Sequence, residues 1–246
     1  WTHSLLTLRA LEGLWRGPVV KGLARAPIAL TAGLDDPVDG AISRGILLKL
    51  VALFHDVGKV GTRRQVGTGP IRFPGHAEAG ATLFAVIAGR LALGRRPTER
   101  GAQAIRHHLR PLMLSQGPQV TRRVAYRFFR DVRPVAEEVL CLGLADNWAK
   151  AWRKGRTFVR VERTVRALLA FAPLLTRPTH LLDGHAIQTV LGIGPGPLVG
   201  YLLRIVQERG ALGELRSAEE AVAFLLAQRE SLEKAFREGE VHGGGP

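Results

Sequence analysis

Histidine and aspartate residues stand at the ends of apolar helical runs and inside them. His55 and Asp56 are adjacent at the end of the run that begins at Ile46, and Asp146 interrupts another run. Adjacent side chains on a helix point about 100° apart. One metal ion beside the helix end could therefore contact both side chains, or two ions could share the carboxylate. The full candidate set is His3, His55, Asp56, His76, His107, His108 and Asp146.

Each of these residues taken alone has an ordinary structural interpretation. A histidine near a helix start often caps that helix, and a buried aspartate is often paired with a cation. As a set they suggest more, because imidazoles and carboxylates from several helices are the donors that a divalent metal needs. Burying them without a cation would be costly. The combination predicts a metal site.

The apolar residues around these candidates recur with the period of a helix. No alternating strand pattern with hairpin turns is present, and clusters of glycine and proline separate the runs at short intervals. The sequence therefore predicts an all-α chain with the short loops of a helical bundle. Helices are predicted over Thr2 to Leu14, Ile46 to Phe54, Ala77 to Leu93, Glu99 to Leu109 and Val135 to Arg153.

A domain boundary is predicted where an apolar helix ends at Pro173, shortly before a second proline at Pro178. This position divides the chain into a first domain over 1–172 and a smaller helical region over 173–246. Together the two lengths leave room for a substantial apolar core in the first domain.

Charge and cysteine content indicate which class of partner the protein binds and in which cellular compartment it lies. The 246 residues include 35 basic and 21 acidic side chains, a net charge of +14, and most of the basic ones are arginine. Arginine makes forked contacts to phosphate, which favours a nucleotide or nucleic acid partner, although a GC-rich genome also enriches arginine. Cys141 is the single cysteine, and no apolar run is long enough to cross a bilayer. We therefore predict a cytoplasmic protein without a membrane partner.

The order of His3, the pair His55 and Asp56, and Asp146, with Gly58 and Lys59 after the pair, resembles the HD superfamily of metal-dependent phosphohydrolases. The resemblance implies that His3, His55, Asp56 and Asp146 hold one divalent ion, which could be Mn, Fe, Ni, Co, Zn or Mg. It also implies a second ion held by His76 and His107, with His108 as a further candidate. Such ions polarise phosphoryl oxygens and lower the pKa of a bound water, so the implied reaction is phosphoester hydrolysis.

Asp56 and Lys59 are the candidate catalytic residues. Lys59 could neutralise a non-bridging phosphate oxygen, or it could be an ordinary lysine that faces the dipole at a helix C-terminus. Arginines close in sequence to the ligands could hold further phosphates or be simply solvated. These arginines are Arg63, Arg64, Arg106 and Arg110.

The segment from Leu181 to Leu225 resembles the carboxyl-terminal region of bacterial tRNA nucleotidyltransferases and related poly(A) polymerases. GHAEAGA, from Gly75 to Ala81, and RHHLRP, from Arg106 to Pro111, resemble the HD domain of the same family. The similarity extends from His3 to about Leu225. It implies an HD helical bundle followed by a smaller helical region of the RNA-binding type, with tRNA or a related RNA as the partner.

GIGPGPLVG, from Gly192 to Gly200, supplies candidate phosphate contacts in this second region. Gly194 and Gly196 would let the backbone approach a phosphate at the start of a helix, and Pro197 is favoured in a first helical turn. A loop that merely connects two helices would have a similar composition. Arginine-rich stretches with interleaved aromatic residues, 122–133 and 148–166, leave the same choice between RNA contacts and ordinary outward-facing arginines.

The resembled family also has a catalytic head, which needs a glycine-rich turn and a strand that carries paired aspartates. Here the acidic pair Asp35 and Asp36 lies in a loop without a predicted strand, so this chain is not expected to add nucleotides. A head would be attached before Trp1 or be a separate protein. Two functions stay open: an HD phosphohydrolase for nucleotides or RNA ends, such as 2′,3′-cyclic phosphates, and a non-catalytic tRNA-binding body for a nucleotidyltransferase or poly(A) polymerase.

Overall fold

The computed structural model of the chain describes residues 1–16, 28–40, 42–65, 67–175 and 180–242. Its architecture is helical, which confirms the predicted all-α class. None of the described helices combines the length and the apolar composition that crossing a membrane requires. The helices are α1 (Thr2–Arg16), α2 (Ile28–Thr31), α3 (Arg44–Phe54), α4 (Lys59–Thr62), α5 (His76–Arg90), α6 (Arg95–His107), α7 (Arg110–Gln116), α8 (Arg122–Val132), α9 (Ala136–Ala149), α10 (Ala151–Phe171), α11 (Gly184–Leu191), α12 (Pro197–Ala211) and α13 (Ala218–His242), with a 3₁₀ turn over Ala172–Leu175.

A small antiparallel ribbon interrupts the helical order. Its strands are β1 (Pro37–Asp39) and β2 (Ile42–Ser43). Because these strands have three residues and two residues, an alternating pattern has no room to become visible in the sequence. The prediction that no strand lies beside Asp35 and Asp36 is therefore wrong, although the all-α class is unaffected.

The chain forms two compact units. The first contains Trp1–Val120 and Phe128–Ala170, and the second contains Thr121–Arg127 and Phe171–Pro246. The change from one unit to the other at residue 171 lies close to the boundary predicted between residues 172 and 173. The sequence contains no sign that Thr121–Arg127, at the beginning of α8, groups with the second unit.

Helix α9 forms the centre of the first unit. Its residues from Glu138 to Asn147 are buried, as expected for a helix that other elements surround. Helices α1, α3, α6 and α7 pack against it. Leu140 and Leu142 are completely buried, and burial of each such side chain contributes about 1.5–3 kcal/mol. The core of this unit therefore fixes the position of Asp146, which lies on the same helix.

An ionic cluster around Glu138 joins three helices of the first unit. The Glu138 carboxylate is almost fully buried and accepts hydrogen bonds at 2.8 Å from Arg44 Nε of α3 and from Arg100 Nε of α6. Burial opposes the charge on Arg44, but Glu138 and Glu137 outweigh it and raise the pKa of that guanidinium. This cluster holds α3 and α6, whose ends supply His55 and His108, at a defined place along α9.

The second unit has its own apolar core. Ile187 of α11, Leu202 of α12 and Leu225 of α13 are buried in it, together with six further apolar residues. Arg127 at the start of the unit makes a forked pair with Glu208, with Nε 2.9 Å and Nη2 2.9 Å from the carboxylate oxygens. The Asp183 side chain caps α11 by accepting from the Ala186 amide at 2.7 Å.

Gly58 allows the turn after α3 to touch the beginning of α5. A Cβ atom at this position would lie 2.1 Å from the His76 carbonyl oxygen and 2.5 Å from the Gly80 amide nitrogen. The φ angle of Gly58 is −64°, which any residue can adopt. The glycine is therefore required for space and not for its backbone conformation.

Replacement of Gly58 by alanine is expected to destabilise the first unit, because the new methyl group meets backbone atoms that cannot rotate away. The free energy of unfolding should fall by about 3 kcal/mol or more, measured by thermal or urea denaturation. Gly61→Ala is the matched control, since a Cβ atom there has no neighbour within 4 Å and alanine favours a helix by about 1 kcal/mol. Equal stability of the two variants would contradict the close approach.

Candidate metal centre

Five helical elements of the first unit bring their ends, or one buried turn, to a common point. His3 lies in the first turn of α1, His55 caps the end of α3, and Asp56 follows it. His76 begins α5, and His108 caps the end of α6. Asp146 lies near the end of α9 and is 1% exposed.

Asp146 contacts the first pair of histidines. Its Oδ1 atom lies 2.8 Å from His3 Nε2, within hydrogen-bond distance, and 3.4 Å from His55 Nε2. The other oxygen, Oδ2, accepts a hydrogen bond from Lys150 Nζ at 2.6 Å. The carboxylate thus presents one oxygen to the imidazoles and the other to an ammonium group.

Asp56 lies between two pairs of histidines. Its Oδ2 atom is 3.4 Å from His55 Nε2 and 3.7 Å from His3 Nε2. Its Oδ1 atom is 3.6 Å from His76 Nε2 and 3.9 Å from His108 Nε2. Two groups of potential ligands, His3–His55–Asp56 and Asp56–His76–His108, each have their donor atoms within 4.8 Å of one another. Of the two arrangements that the sequence left open, this geometry suits a pair of ions that share the Asp56 carboxylate.

The imidazole rings are oriented by the backbone. In three of the histidines Nδ1 is bonded to the carbonyl oxygen three residues earlier in the chain, so Nε2 points toward the carboxylates. Such a bond fixes the tautomer and the ring direction, as in many metal-binding histidines. The pairs are His55 with Ala52 at 2.9 Å, His76 with Phe73 at 2.8 Å and His108 with Ile105 at 2.6 Å.

Two of these nitrogen atoms are buried without a hydrogen bond. Nε2 of His55 and Nε2 of His76 have no hydrogen-bond partner among the described residues. An unsatisfied buried polar atom costs about 1–3 kcal/mol, so the arrangement is unfavourable for the side chains by themselves. Coordination of a cation by these lone pairs would remove the cost. The donor set therefore fits divalent metal ions with mixed nitrogen and oxygen ligands.

The buried charges change the protonation of the cluster. Burial opposes the charged form of Asp146, but the imidazoles of His3 and His55 outweigh it and hold the pKa of this carboxyl well below its usual range. Burial likewise opposes the charge of Asp56, and the charges of His55 and Lys59 lower the pKa of that carboxyl. Both side chains are therefore carboxylates at neutral pH, as metal ligands must be.

The two histidines of the interior respond in opposite directions. Burial and the neighbouring His55 lower the pKa of His108 to about 4, so this imidazole is neutral and can donate a lone pair. Burial would also lower the pKa of His55, but the carboxylates of Asp146 and Asp56 outweigh it and raise that pKa. Binding of a metal ion at His55 would require the neutral form of this imidazole.

Lys59 forms an ion pair with the Asp56 carboxylate. Its Nζ atom donates to Asp56 Oδ2 at 2.5 Å and lies 5.6 Å from the centre of the Phe73 ring. Helix α3 ends at Phe54, and Lys59 begins α4. Lys59 thus lies within the single turn of α4, and its ammonium group pairs with Asp56.

Lys150 pairs with Asp146 as Lys59 pairs with Asp56, although Lys150 was not among the predicted site residues. The spacing of four residues between Asp146 and Lys150 places the two side chains on one face of a helix, and this signal was present in the sequence.

His107 belongs to neither group of potential ligands within the described part of the chain. It lies in a groove of about 590 Å³ that His76, Arg106 and Arg110 also line. Burial and the charges of Arg110 and Arg106 lower the pKa of His107. Of the two adjacent histidines, the structure thus brings His108 and not His107 to Asp56.

The remaining predicted phosphate contacts lie in several places. Arg63, Arg64 and Arg106 are exposed, and Arg110 pairs with Asp131 at 2.8 Å. Gly194 and Gly196 precede α12 in the second unit, where Pro197 occupies the first turn as predicted. A Cβ atom at either glycine would have no described neighbour within 4 Å, so no packing requirement explains these two glycines.

Comparison with known proteins places this cluster in a family. The HD domain family model matches residues 1–151. The chain is 35% identical over 185 residues to the A-adding tRNA nucleotidyltransferase of Deinococcus radiodurans, covering 73% of this chain and 41% of that protein. It is 35% identical over 188 residues to the CC-adding tRNA nucleotidyltransferase of Thermus thermophilus, covering 74% of this chain and 40% of that protein. The chain thus spans about two fifths of the length of these relatives, and the match over most of its first unit shows that it belongs to the HD domain family.

Proposed function

We propose that this chain is a divalent-metal-dependent phosphohydrolase that acts on nucleotides or on RNA ends, including 2′,3′-cyclic phosphates, in the cytoplasm. The observation that carries the proposal is the position of Asp56, whose two carboxylate oxygens face separate pairs of histidine nitrogen atoms. Membership in the HD domain family supports the same reaction class. The retention of His3, His55, Asp56 and Asp146, the residues of the HD pattern, favours a working centre over a vestigial one.

The side chains of the centre divide the work. Divalent ions bound there would neutralise charge on phosphoryl oxygens and supply hydroxide at neutral pH. His3, His55 and Asp146 would hold one ion, and His76 and His108 the other, with Asp56 between them. Manganese, iron, nickel, cobalt or zinc suit these nitrogen and oxygen donors better than magnesium does.

Lys59 would act on the substrate directly. Its ammonium group lies 2.5 Å from Asp56 and is within side-chain reach of a phosphoryl group that lies at the same carboxylate. A positive charge there stabilises the negative charge that develops on non-bridging oxygens. Lys150 would act indirectly, because it holds Asp146 Oδ2 at 2.6 Å and so leaves Oδ1 for the ligand role.

The groove beside His76 offers space for the rest of a substrate. Its volume of about 590 Å³ lies within the range of about 300–1,000 Å³ that small-molecule sites have. Phe73 and Met113 supply apolar surface, while Arg106, His107 and Arg110 supply polar groups. This composition suits a nucleotide, which combines an aromatic base that can stack on apolar surface with a charged phosphate.

A second candidate function is a non-catalytic one. The relatives are tRNA nucleotidyltransferases, so the chain could serve as the tRNA-binding body of a nucleotidyltransferase or poly(A) polymerase whose head is covalently attached or separate. The net charge of +14 and the helical second unit support this reading. The two functions are compatible if the metal centre acts on the ends of the bound RNA.

Metal stoichiometry tests the shared carboxylate. We expect wild-type protein incubated with Mn²⁺ and then freed of excess to retain two ions per chain, because two ligand groups are present. His108→Ala should retain one ion, and His107→Ala should retain two, measured by elemental mass spectrometry with circular dichroism as the control for folding. Loss of an ion in His107→Ala together with full retention in His108→Ala would contradict the assignment.

Hydrolysis tests the reaction class. Wild-type protein with Mn²⁺ is expected to release product from a 2′,3′-cyclic nucleotide or an aryl phosphate. The double variant His55→Ala, Asp56→Ala should lose more than about 100-fold in kcat/KM, since it removes ligands from both groups. His180→Ala, an exposed histidine of the second unit, is the control. Unchanged hydrolysis in the double variant, or no metal-dependent hydrolysis by the wild type, would remove the enzymatic function.

RNA binding tests the second candidate function. We expect tRNA to bind the chain with an affinity that falls linearly, on logarithmic scales, between about 50 and 200 mM salt, because each neutralised phosphate releases counterions. Fluorescence anisotropy with labelled tRNA measures this, and heparin as competitor separates tRNA binding from general attraction to polyanions. Absence of binding even at the lowest salt concentration would exclude tRNA as a partner.

A further inference from the structure

Arg64 and Arg72 face each other across a short antiparallel contact. The Arg64 amide donates to the Arg72 carbonyl oxygen at 2.8 Å, and the Arg72 amide donates to the Arg64 carbonyl oxygen at 2.8 Å. Residues that exchange both hydrogen bonds lie directly opposite each other, with side chains on the same face. Both arginine side chains line one pocket of about 620 Å³.

Two like charges in this arrangement repel each other. Like charges directly opposite on paired strands are destabilising, and neither arginine side chain has an ion pair or hydrogen bond to another part of the described chain. Both arginines are exposed, so solvent screens part of the repulsion. Gly69, Pro70 and Phe73 complete much of the pocket wall. An anion between the two guanidinium groups would convert the repulsion into attraction, with the forked geometry that arginine offers to phosphate.

The pocket is connected to the metal centre through Phe73. The Phe73 carbonyl oxygen is bonded to His76 Nδ1 at 2.8 Å, and the Phe73 ring lies 5.6 Å from Lys59 Nζ. Phe73 and Pro74 also line the groove beside His76. Phe73 is therefore shared by the arginine pocket and by the surroundings of the candidate ligands, in the same compact unit.

We infer that Arg64 and Arg72 bind a second phosphate group of the substrate whose first phosphate lies at the metal centre. The inference rests on the proposed function, which puts the first phosphate at the metal centre. It limits the substrate to molecules that carry at least two phosphate groups. An oligonucleotide end meets this requirement, because the nucleoside between two backbone phosphates can lie against Phe73. Aromatic side chains between cationic groups are the usual platform for single-stranded nucleic acid.

Equilibrium binding of ligands that cannot be hydrolysed tests the inference without turnover. The RNA-type probes are a uridine 3′-phosphonate and a uridine dinucleotide with two phosphonate groups. The probes for adjacent phosphates are methylphosphonate and methylenediphosphonate. Wild-type protein with Mn²⁺ is expected to bind the dinucleotide about tenfold more tightly than the mononucleotide, and the double variant Arg64→Gln, Arg72→Gln should lose this advantage.

Salt dependence supplies a second readout. The slope of log affinity against log salt concentration for the dinucleotide should decrease by about 0.7 in the double variant, as expected for one lost phosphate contact on a single strand. The double variant Arg90→Gln, Arg96→Gln is the charge-matched control, because it also removes two positive charges. Both arginines are exposed residues of the same unit, and this variant should keep the wild-type slope.

The outcomes separate the possible ligands and the two proposals. If methylenediphosphonate and not the dinucleotide depends on the arginine pair, the second phosphate belongs to a nucleoside polyphosphate, and the anion site stands. An unchanged advantage of two-phosphate probes in the Arg64→Gln, Arg72→Gln variant, or an equal loss in the Arg90→Gln, Arg96→Gln control, would overturn the inference. The binding measurement requires no turnover. If the wild-type protein hydrolyses no substrate, the proposed function is contradicted, whereas the binding of the second phosphate is still decided by the variants.

Discussion

The arrangement of the first unit depends on a carboxylate that faces four imidazoles. Asp56 contributes Oδ2 toward His3 and His55 and Oδ1 toward His76 and His108, at 3.4–3.9 Å. Charges and lone pairs at such short range are tolerated in a protein interior only when a cation or a proton joins them. The packing of helices α1, α3 and α6 against α9, and of α5 against α6, therefore has to be rigid enough to impose this proximity. The Glu138 cluster and the close backbone contact at Gly58 supply that rigidity.

Much of the helical order could be predicted from periodicity, and the deviations have local causes. Helix α6 begins at Arg95, four residues before the predicted start, because Pro97 lies in the first turn, where its missing amide has no intrahelical partner to lose. The predicted helix from Val135 to Arg153 is divided after Ala149. Apolar periodicity continues through this point and so does not reveal the break.

The candidate site was found as a set because every potential ligand is a histidine or an aspartate near a helix end. The choice between His107 and His108 depends on the direction of each side chain where α6 ends, and a difference of about 100° between adjacent residues cannot be assigned from residue type. His107 is the last residue of the helix and faces the groove, whereas His108 caps it and is 1% exposed. The pairing of Arg64 with Arg72 was invisible for a similar reason, since an isolated bridge leaves no periodic pattern.

The bonds from the imidazole Nδ1 atoms to backbone carbonyl oxygens have a consequence for how the centre is assembled. These bonds use only atoms of the chain, so folding itself sets the direction of His55, His76 and His108. The conformational entropy of the ligands is then lost during folding and not during coordination. A metal centre built on these side chains would be pre-organised, because ions would enter and leave a framework that keeps its shape. Selection among metals would then depend on the geometry of the cavity and on the concentration of each metal in the cell.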